Sequence, residues 1–498
     1  MFRNLNVCVR WILKQSVHGH EARVKMLKGM SLALEAAQST YGPCGWTVAV
    51  DYHAPEIRST KCGASILEDF SLSDPYEDAG AQLLCHVARQ QQKYTGDGTT
   101  LAAILTHSIA VETFRRNWVA ENVAEVGGGL RRAAQMVEKY ITRMSRPLSG
   151  PGELASVARC AAGLDDALAQ LIAEGFSSAE DPSAVFLLPS KTSSCEIVKG
   201  IILDVYLHDR FDHPYRSIAF TDPCLILYPS PLENWRQIEN KLEDALESGA
   251  DVLIAAQRVC PTFRASIPRG IDQNRLHILS LTLSRLPFEL ANIQERLRFR
   301  RADLNGRIVM SNNKLFIELF ACELERQATT SAVLISIGEI GETPSQERME
   351  RATQCAASVR AALRDGRVAG GASVLLDAAR WLGSQTVDDI ATSKGIAILR
   401  KALVSPMTIL IDSAGEPGAQ YVENILSSSP DGQVFDLRER TLHAADAVGV
   451  LDATAVVVAA VRVSSSIAGL IALTEVLVTQ RKEMQRRPCN PQEEDLQH

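Results

Sequence analysis

No CxxC pair occurs anywhere in the 498 residues, although eleven cysteines are scattered from Cys8 to Cys489. Without that spacing a zinc ribbon or a short-range disulfide framework is excluded, and reduced thiols in a cytosol-like or matrix-like compartment are expected. Charge of one sign is not in surplus: 52 Lys and Arg against 59 Asp and Glu leave a formal net charge of -7. That balance argues against whole-surface attraction to nucleic acid or anionic membrane. A Walker-type GxxxxGK[ST] is missing as well. The most apolar stretch, Ala453 to Val478, is broken by Arg462, by Ser464, Ser465 and Ser466, and by Glu475. It reads as a buried helix and not a membrane span, which needs about 20 predominantly apolar residues. The first twenty residues lack Asp and Glu but carry Arg3, Arg10 and Lys14 among Phe2, Leu5, Trp11 and Leu13. This fits a mitochondrial presequence and a disordered basic arm equally.

What is present is a globular composition, 46% hydrophobic and 22% charged, with length for about three domains. From Glu21 the pattern is helical, with Val24, Leu27, Met30 and Leu34 as the apolar stripe. The helix stops at Thr40-Tyr41-Gly42-Pro43-Cys44-Gly45. A second helix begins at Asp74-Pro75-Tyr76-Glu77, where Asp74 caps, Pro75 suits the first position and Glu77 completes a capping box. After the loop Thr95-Gly96-Asp97-Gly98-Thr99-Thr100 another helix runs from Leu101 to about Phe114. Arg146 to Gly152 reads as a linker.

Beyond that linker the character changes. Leu225 to Tyr228 reads as a strand, Ser230-Pro231-Leu232-Glu233 as the opening of a helix, and Val252 to Ala256 and His277 to Leu283 as further strands. Such units call for a parallel or mixed sheet covered by helices, so an α/β insert lies inside a mostly helical chain. Helical character returns with a capping box at Thr343-Pro344-Ser345-Gln346 and runs to Arg364. Its expected buried stripe is Met349, Ala352, Ala356, Val359 and Leu363, with Gln354 roughly 200° round from Ala352 and facing elsewhere.

Three glycine turns are candidates for chemistry: 42–45, 96–100 and 370–371. The second is the most informative, because its glycines let backbone N–H groups approach a ligand while a helix start presents free donors and a positive dipole end. That combination suits phosphate. Asp97 at its mouth would repel phosphate unless a divalent cation lay between them, so Mg²⁺ is expected alongside.

Glu21 to Gly29, Thr40-Tyr41-Gly42-Pro43, Gly80-Ala81-Gln82 and Gly96-Asp97-Gly98-Thr99-Thr100 resemble the start of a group I chaperonin of the GroEL type. Arg360-Ala361-Ala362, Val368-Ala369-Gly370-Gly371, Gly415-Glu416-Pro417 and Gly449-Val450-Leu451-Asp452 continue the resemblance in order, over roughly Lys14 to Thr479. It implies an α+β, multidomain fold with a helical equatorial domain from both chain ends, a hinge-like intermediate domain and an α/β apical domain. The corresponding boundaries are 1–20 for the arm or presequence, 21–146 and 367–480 equatorial, 147–199 and 332–366 intermediate, 200–331 apical, and 481–498 a charged tail.

The resemblance further implies an ATPase that assists the folding of non-native protein in a homo- or hetero-oligomeric ring with a co-chaperonin, in the mitochondrial matrix or cytoplasm. Its cofactors would be ATP and Mg²⁺, with K⁺ a candidate third. Nucleotide contacts map onto Thr40, Tyr41, Gly42, Pro43, Lys61, Asp97, Gly98, Thr99, Thr100, Gly371 and Asp452, with Asp97 as the Mg²⁺ carboxylate. Client contacts map onto Phe211, Tyr215 and Trp235. Two acidic positions of the family fall on Gln354 and Cys62, neither of which supplies a carboxylate. ATP turnover is therefore expected to be impaired, and the rival reading is a degenerate paralogue serving as a non-hydrolysing scaffold or regulatory ring subunit. Cys44 and Cys62 are expected to be small buried thiols. The second apical helix of the family would span about Pro261 to Gly270, where Pro261, Arg264, Pro268, Arg269 and Gly270 oppose both helicity and apolar character.

Overall fold

The computed structural model describes residues 14–51, 57–115, 123–163, 165–207, 218–221, 224–239, 252–260, 263, 266, 276–281, 307–311, 314–318, 330–339, 342–428, 430–437 and 439–480. The chain divides into two compact units. The first comprises residues 1–145, 368–450 and 454–498, and the second 146–367 with 451–453.

In the first unit, strand β1 (Lys14–His18) leads into helix α1 (Gly19–Gln38), followed by the hairpin β2 (Val48–Asp51) and β3 (Ile57–Thr60). Helices α2 (Gly63–Asp69), α3 (Pro75–Thr95), α4 (Thr99–Arg115) and α5 (Val123–Met144) follow. The second unit holds α6 (Pro151–Ala161), α7 (Asp166–Ser178) and strands β4 (Val185–Ser190), β5 (Ser194–Leu207), β6 (Ile218–Thr221), β7 (Cys224–Leu232), β8 (Val252–Val259), β9 (Leu276–Leu281), β10 (Arg307–Ser311), β11 (Lys314–Glu318) and β12 (Thr330–Gly338), then α8 (Glu342–Asp365). Strand β13 (Arg367–Ala369) returns the chain to the first unit for α9 (Ser373–Gly383), α10 (Ile390–Ala402), α11 (Ser405–Ser413), α12 (Gly418–Ser428), β14 (Gln433–Asp436), β15 (Thr441–Ala444) and α13 (Ala445–Val448). After β16 (Leu451–Ala453) come α14 (Thr454–Ala472) and β17 (Val476–Gln480).

The first unit is a helical body around one core that includes Met30, Leu84, Ile104, Leu130, Leu375 and Val461. Its two chain ends are joined directly, because β1 pairs antiparallel with β17 from Lys14↔Gln480 to His18↔Val476. Residues 14–18 are thus part of the fold, which corrects the expected arm or presequence at those positions; 1–13 lie outside the described residues. Helix α14 is long and apolar enough to cross a membrane by length and composition, yet 72% of that window is buried. The apolar stretch after it turns into β17 instead of continuing as helix.

Helix α1 corrects the expected stripe. Val24 is 47% exposed, while Ala22, Met26, Gly29, Met30, Ala33 and Ala37 face inward. Small residues dominate this face because α1 and α3 cross closely. A Cβ at Gly29 would collide with the Glu77 carbonyl, and one at Gly80 with that of Met26. Asp74 caps α3 as expected, accepting from the Tyr76 N–H at 2.8 Å and the Glu77 N–H at 3.3 Å. Glu77 turns its Oε1 to Lys28 Nζ at 2.7 Å, an ion pair in place of the expected capping box.

The second unit contains a nine-stranded mixed sheet in the order β6-β10-β11-β5-β9-β8-β7, with β12 on β5 and β4 on β12. Strands β7, β8 and β9 run parallel, as the strand–helix–strand pattern requires. The helix expected at Ser230 does not begin there. Pro231 and Leu232 still pair with Arg258 and Val259, so sheet pairing overrides the local capping signal. The turn that does form, Trp235–Gln237, is capped by Asn234. Phe263 and Ser266 are helical, with Phe263 fully buried, which overturns the expected loss of helicity at those two positions. On α8 the stripe holds at Ala352, Ala356 and Val359, but Leu363 is 40% exposed and Ala362 replaces it.

Candidate functional site

The loop between α3 and α4 is built by left-handed backbone on both sides of one carboxylate. Gly96, with φ 74, closes α3 and its N–H returns to the Gln92 carbonyl at 2.8 Å. Gly98 has φ 77, and the Asp97 Oδ1 accepts its N–H at 2.6 Å. No L side chain adopts that backbone cheaply. A Cβ at 98 would in addition lie 2.7 Å from Val456 Cγ1 and 3.0 Å from Gln91 Nε2. The first bond inside α4 is Ala102 N–H to the Gly98 carbonyl at 3.0 Å. The N–H groups of Thr99, Thr100 and Leu101 therefore form the donor end of the helix. Thr99 and Thr100 are buried in its first turn, not just ahead of it.

Against this helix start lies the segment Lys61-Cys62-Gly63. Gly63 faces Thr100 so closely that a Cβ there would collide with Thr100 Oγ1. Cys62 precedes α2, is 5% exposed, and donates its backbone N–H to Thr60 Oγ1 at 3.0 Å. Lys61 is half-buried and forms no ion pair among the described residues. One carboxylate and a helix N-terminus thus share this loop, with the segment that carries Lys61 packed beside it through Gly63.

The other sequence candidates are placed by different contacts. Thr40 is buried and donates its Oγ1 to the Ala37 carbonyl at 2.8 Å, closing α1. Tyr41 packs on the core, Gly42 with φ 78 sits against Leu410, and Pro43 is half-buried. Cys44, expected to be buried, is exposed, because the turn held by Gly45 N–H to Gly42 carbonyl presents it outward. Gly371, with φ 60, sits against Val434 and Val450.

Asp452 and Gln354 belong to the second unit, where β16 packs against α6 and α8. Asp452 is half-buried beside Cys160, and burial together with that carboxylate pushes the Cys160 thiol up to about 12. Gln354 lies half-buried on α8, off the stripe that holds Ala352 and Ala356. Of the client candidates, Trp235 is half-buried with its N–H on Ser266 Oγ at 3.0 Å, and Phe211 and Tyr215 lie outside the described residues. A groove of about 620 Å³ between α6 and α7, lined by Gly152, Arg159, Asp166 and Glu174, contains none of the sequence candidates.

Gln91 is the residue that sequence reasoning missed. It is fully buried on α3 and donates from one carboxamide to both the loop and the start of α14. Its only signal in the sequence was position, one helical turn before Thr95.

A glycine-flanked carboxylate at a buried helix start, in a helical body made from both chain ends, is the arrangement expected from the chaperonin resemblance. The TCP-1/cpn60 chaperonin family model matches residues 34–267. Over 531 aligned positions the chain is 26% identical to a Chaperonin GroEL 2 of Cereibacter sphaeroides, covering 95% of this chain and 97% of that protein. A second Chaperonin GroEL 2 from the same species is 27% identical over the same shares. These matches support a divergent group I chaperonin.

Proposed function

We propose that the chain is a chaperonin ring subunit that assists non-native protein, binds ATP with Mg²⁺ at the Gly96–Thr100 loop and hydrolyses it slowly. The observation that carries this is the coincidence at one loop of left-handed Gly96 and Gly98, the α4 donor end and Asp97, with the Lys61–Gly63 segment packed against Thr100. Backbone donors and a lysine suit phosphate oxygens. Among the described residues no three His, Cys, Asp or Glu side chains gather as a metal site. Mg²⁺ fits this, since it takes one or two carboxylates and completes its shell with phosphates and water. Asp97 would supply that carboxylate.

In this reading the first unit is the equatorial domain, and the second combines the intermediate and apical parts. The ribbon β1–β17 and the hairpin β2–β3 are two-stranded sheets with open edges, and such edges recruit further strands. Leu470, Leu473, Val476 and Val478 are exposed on α14 and β17 or just between them, which supports contact with a neighbouring subunit. Slow turnover follows from chemistry: a carboxamide at Gln354 orients water but cannot take its proton, and the Cys62 thiol brings no negative charge.

Calorimetry tests the binding. Wild type should take up ATP-Mg²⁺ and Asp97→Ala should bind it weakly or not at all, whereas equal affinity under saturating Mg²⁺ removes this loop from consideration. The scaffold reading rests on Cys62 and Gln354, which stand where carboxylates are expected. It requires that wild type show no ATP uptake in the same experiment.

A further inference from the structure

Gln91 is 0% exposed, and its Nε2 donates to Thr95 Oγ1 at 3.0 Å, to the Asp97 carbonyl at 3.0 Å and to the Val456 carbonyl at 3.1 Å. Thr95 Oγ1 donates in turn to the Gln91 carbonyl at 3.1 Å and the Asp97 carbonyl at 2.9 Å. The two carbonyls facing the carboxamide only accept, so its nitrogen must point at them. The cost is visible on the other side, where Oε1 is buried with no partner among the described residues. A buried acceptor left unpaired is destabilising. A glutamine kept here for packing alone would be better replaced by an apolar side chain of the same length.

We infer that Gln91 is a positioning residue: it holds the Gly96–Gly98 turn in its ligand-facing conformation before nucleotide arrives. It also ties that turn to the start of α14, four residues beyond Asp452 in the chain. The inference rests on the reading of this loop as the nucleotide site. Gln91 itself does not meet the ligand; it acts through the Asp97 carbonyl and Thr95. Apparent affinity scales with the fraction of protein whose site is already competent. A loop that loses this clamp and is competent a tenth of the time binds about tenfold more weakly.

Gln91→Met separates positioning from packing, because methionine matches the length while removing the donor and the orphaned acceptor together. The apo variant should melt at or above the wild-type Tm, and calorimetry should show ATP-Mg²⁺ affinity about tenfold weaker. Wild-type affinity in Gln91→Met overturns the inference. Should that variant fail to fold, hydrogen exchange on the wild type decides: peptides over 92–101 should be protected without nucleotide, and free exchange until ATP is added overturns it. Asp97→Ala measured alongside separates the two claims. If Asp97→Ala binds like wild type, the nucleotide reading fails; if it loses binding while Gln91→Met keeps it, only the clamp fails.

Discussion

Asp377 lies 4% exposed on α9, accepts the Gly432 N–H at 2.8 Å and shares its surroundings with Tyr140, Arg380 and Asp431. Burial first, and then the charge of Asp431, push its carboxyl up to about 6, against the opposing pull of the Gly432 N–H and Arg380. The same burial, with Asp377 and Asp431, pushes the Tyr140 phenol up to about 12. Because the folded state holds the Asp377 proton more tightly than the unfolded chain, this group's favourable contribution is complete below about pH 4 and is lost as pH rises through about 6. A shift of about two units corresponds to roughly 3 kcal/mol at most. Asp377→Asn keeps an acceptor for Gly432 and removes the charge. Its Tm should exceed wild type at pH 7.5 and match it at pH 4, and a gain that is the same at both pH values would contradict the assignment. Asp389 behaves in the opposite way: bonds from Thr392, by its hydroxyl and its N–H, and then from Arg132 hold it down at about 2.

At this scale the sequence showed the conspicuous residues and hid the quiet ones. Asp97 and its glycines announce themselves, because only certain residue types tolerate that backbone. Gln91 carries no such mark, since a polar residue inside a helix reads as surface until the partner carbonyls of Asp97 and Val456 are seen. Cys44 was misjudged for the converse reason: its apolar character says nothing of which way a turn faces.

Helices α1 and α3 show what periodicity can and cannot read. Both were legible as helices, and the Asp74 cap was legible to the residue. The phase of α1 was legible at Met30 and Leu34, which are buried, but not at Val24, since Gly29 and Gly80 allow a close crossing lined by alanines. Gly80→Ala must push into the Met26 carbonyl and should cost about 1–3 kcal/mol. Gly152→Ala, early in α6 with nothing within 4 Å of the new methyl, should gain up to about 1 kcal/mol. Chemical denaturation of the two variants checks this, and equal effects would refute the close-packing account. The β1–β17 ribbon was invisible to local reasoning, since its strands are separated by almost the whole chain. At Ser230 the reverse occurred: a genuine capping pattern was overruled by the pairing of β7 with β8.

Two compact units, the first made from both chain ends, are the molecular-scale fact on which the proposed function stands. The change from helical periodicity to short β-branched runs falls after α7, where β4 begins at Val185, and not at the Arg146 linker. Holding unfolded protein requires exposed apolar area, worth roughly 25 cal/mol per Å². Among the described residues of the second unit, Ile197 at 63% and Leu363 at 40% are the large apolar side chains most exposed, while Phe263 is fully buried. With Pro261, Arg264, Pro268 and Arg269 in the stretch expected to form the second apical helix, suppression of aggregation of chemically denatured proteins should be weak at equimolar subunits. Broad suppression equal to that of an ordinary chaperonin would show that this surface is misread.

The central claim is that a chaperonin loop able to bind ATP is joined to chemistry that turns it over slowly. Steady-state phosphate release at saturating ATP-Mg²⁺, wild type against Cys62→Asp combined with Gln354→Asp, tests it most directly. General-base assistance typically contributes ~10²–10⁴-fold, so the double variant should release phosphate at least about a hundredfold faster while its ATP affinity need not improve. A wild-type rate already equal to that of the double variant would contradict the account.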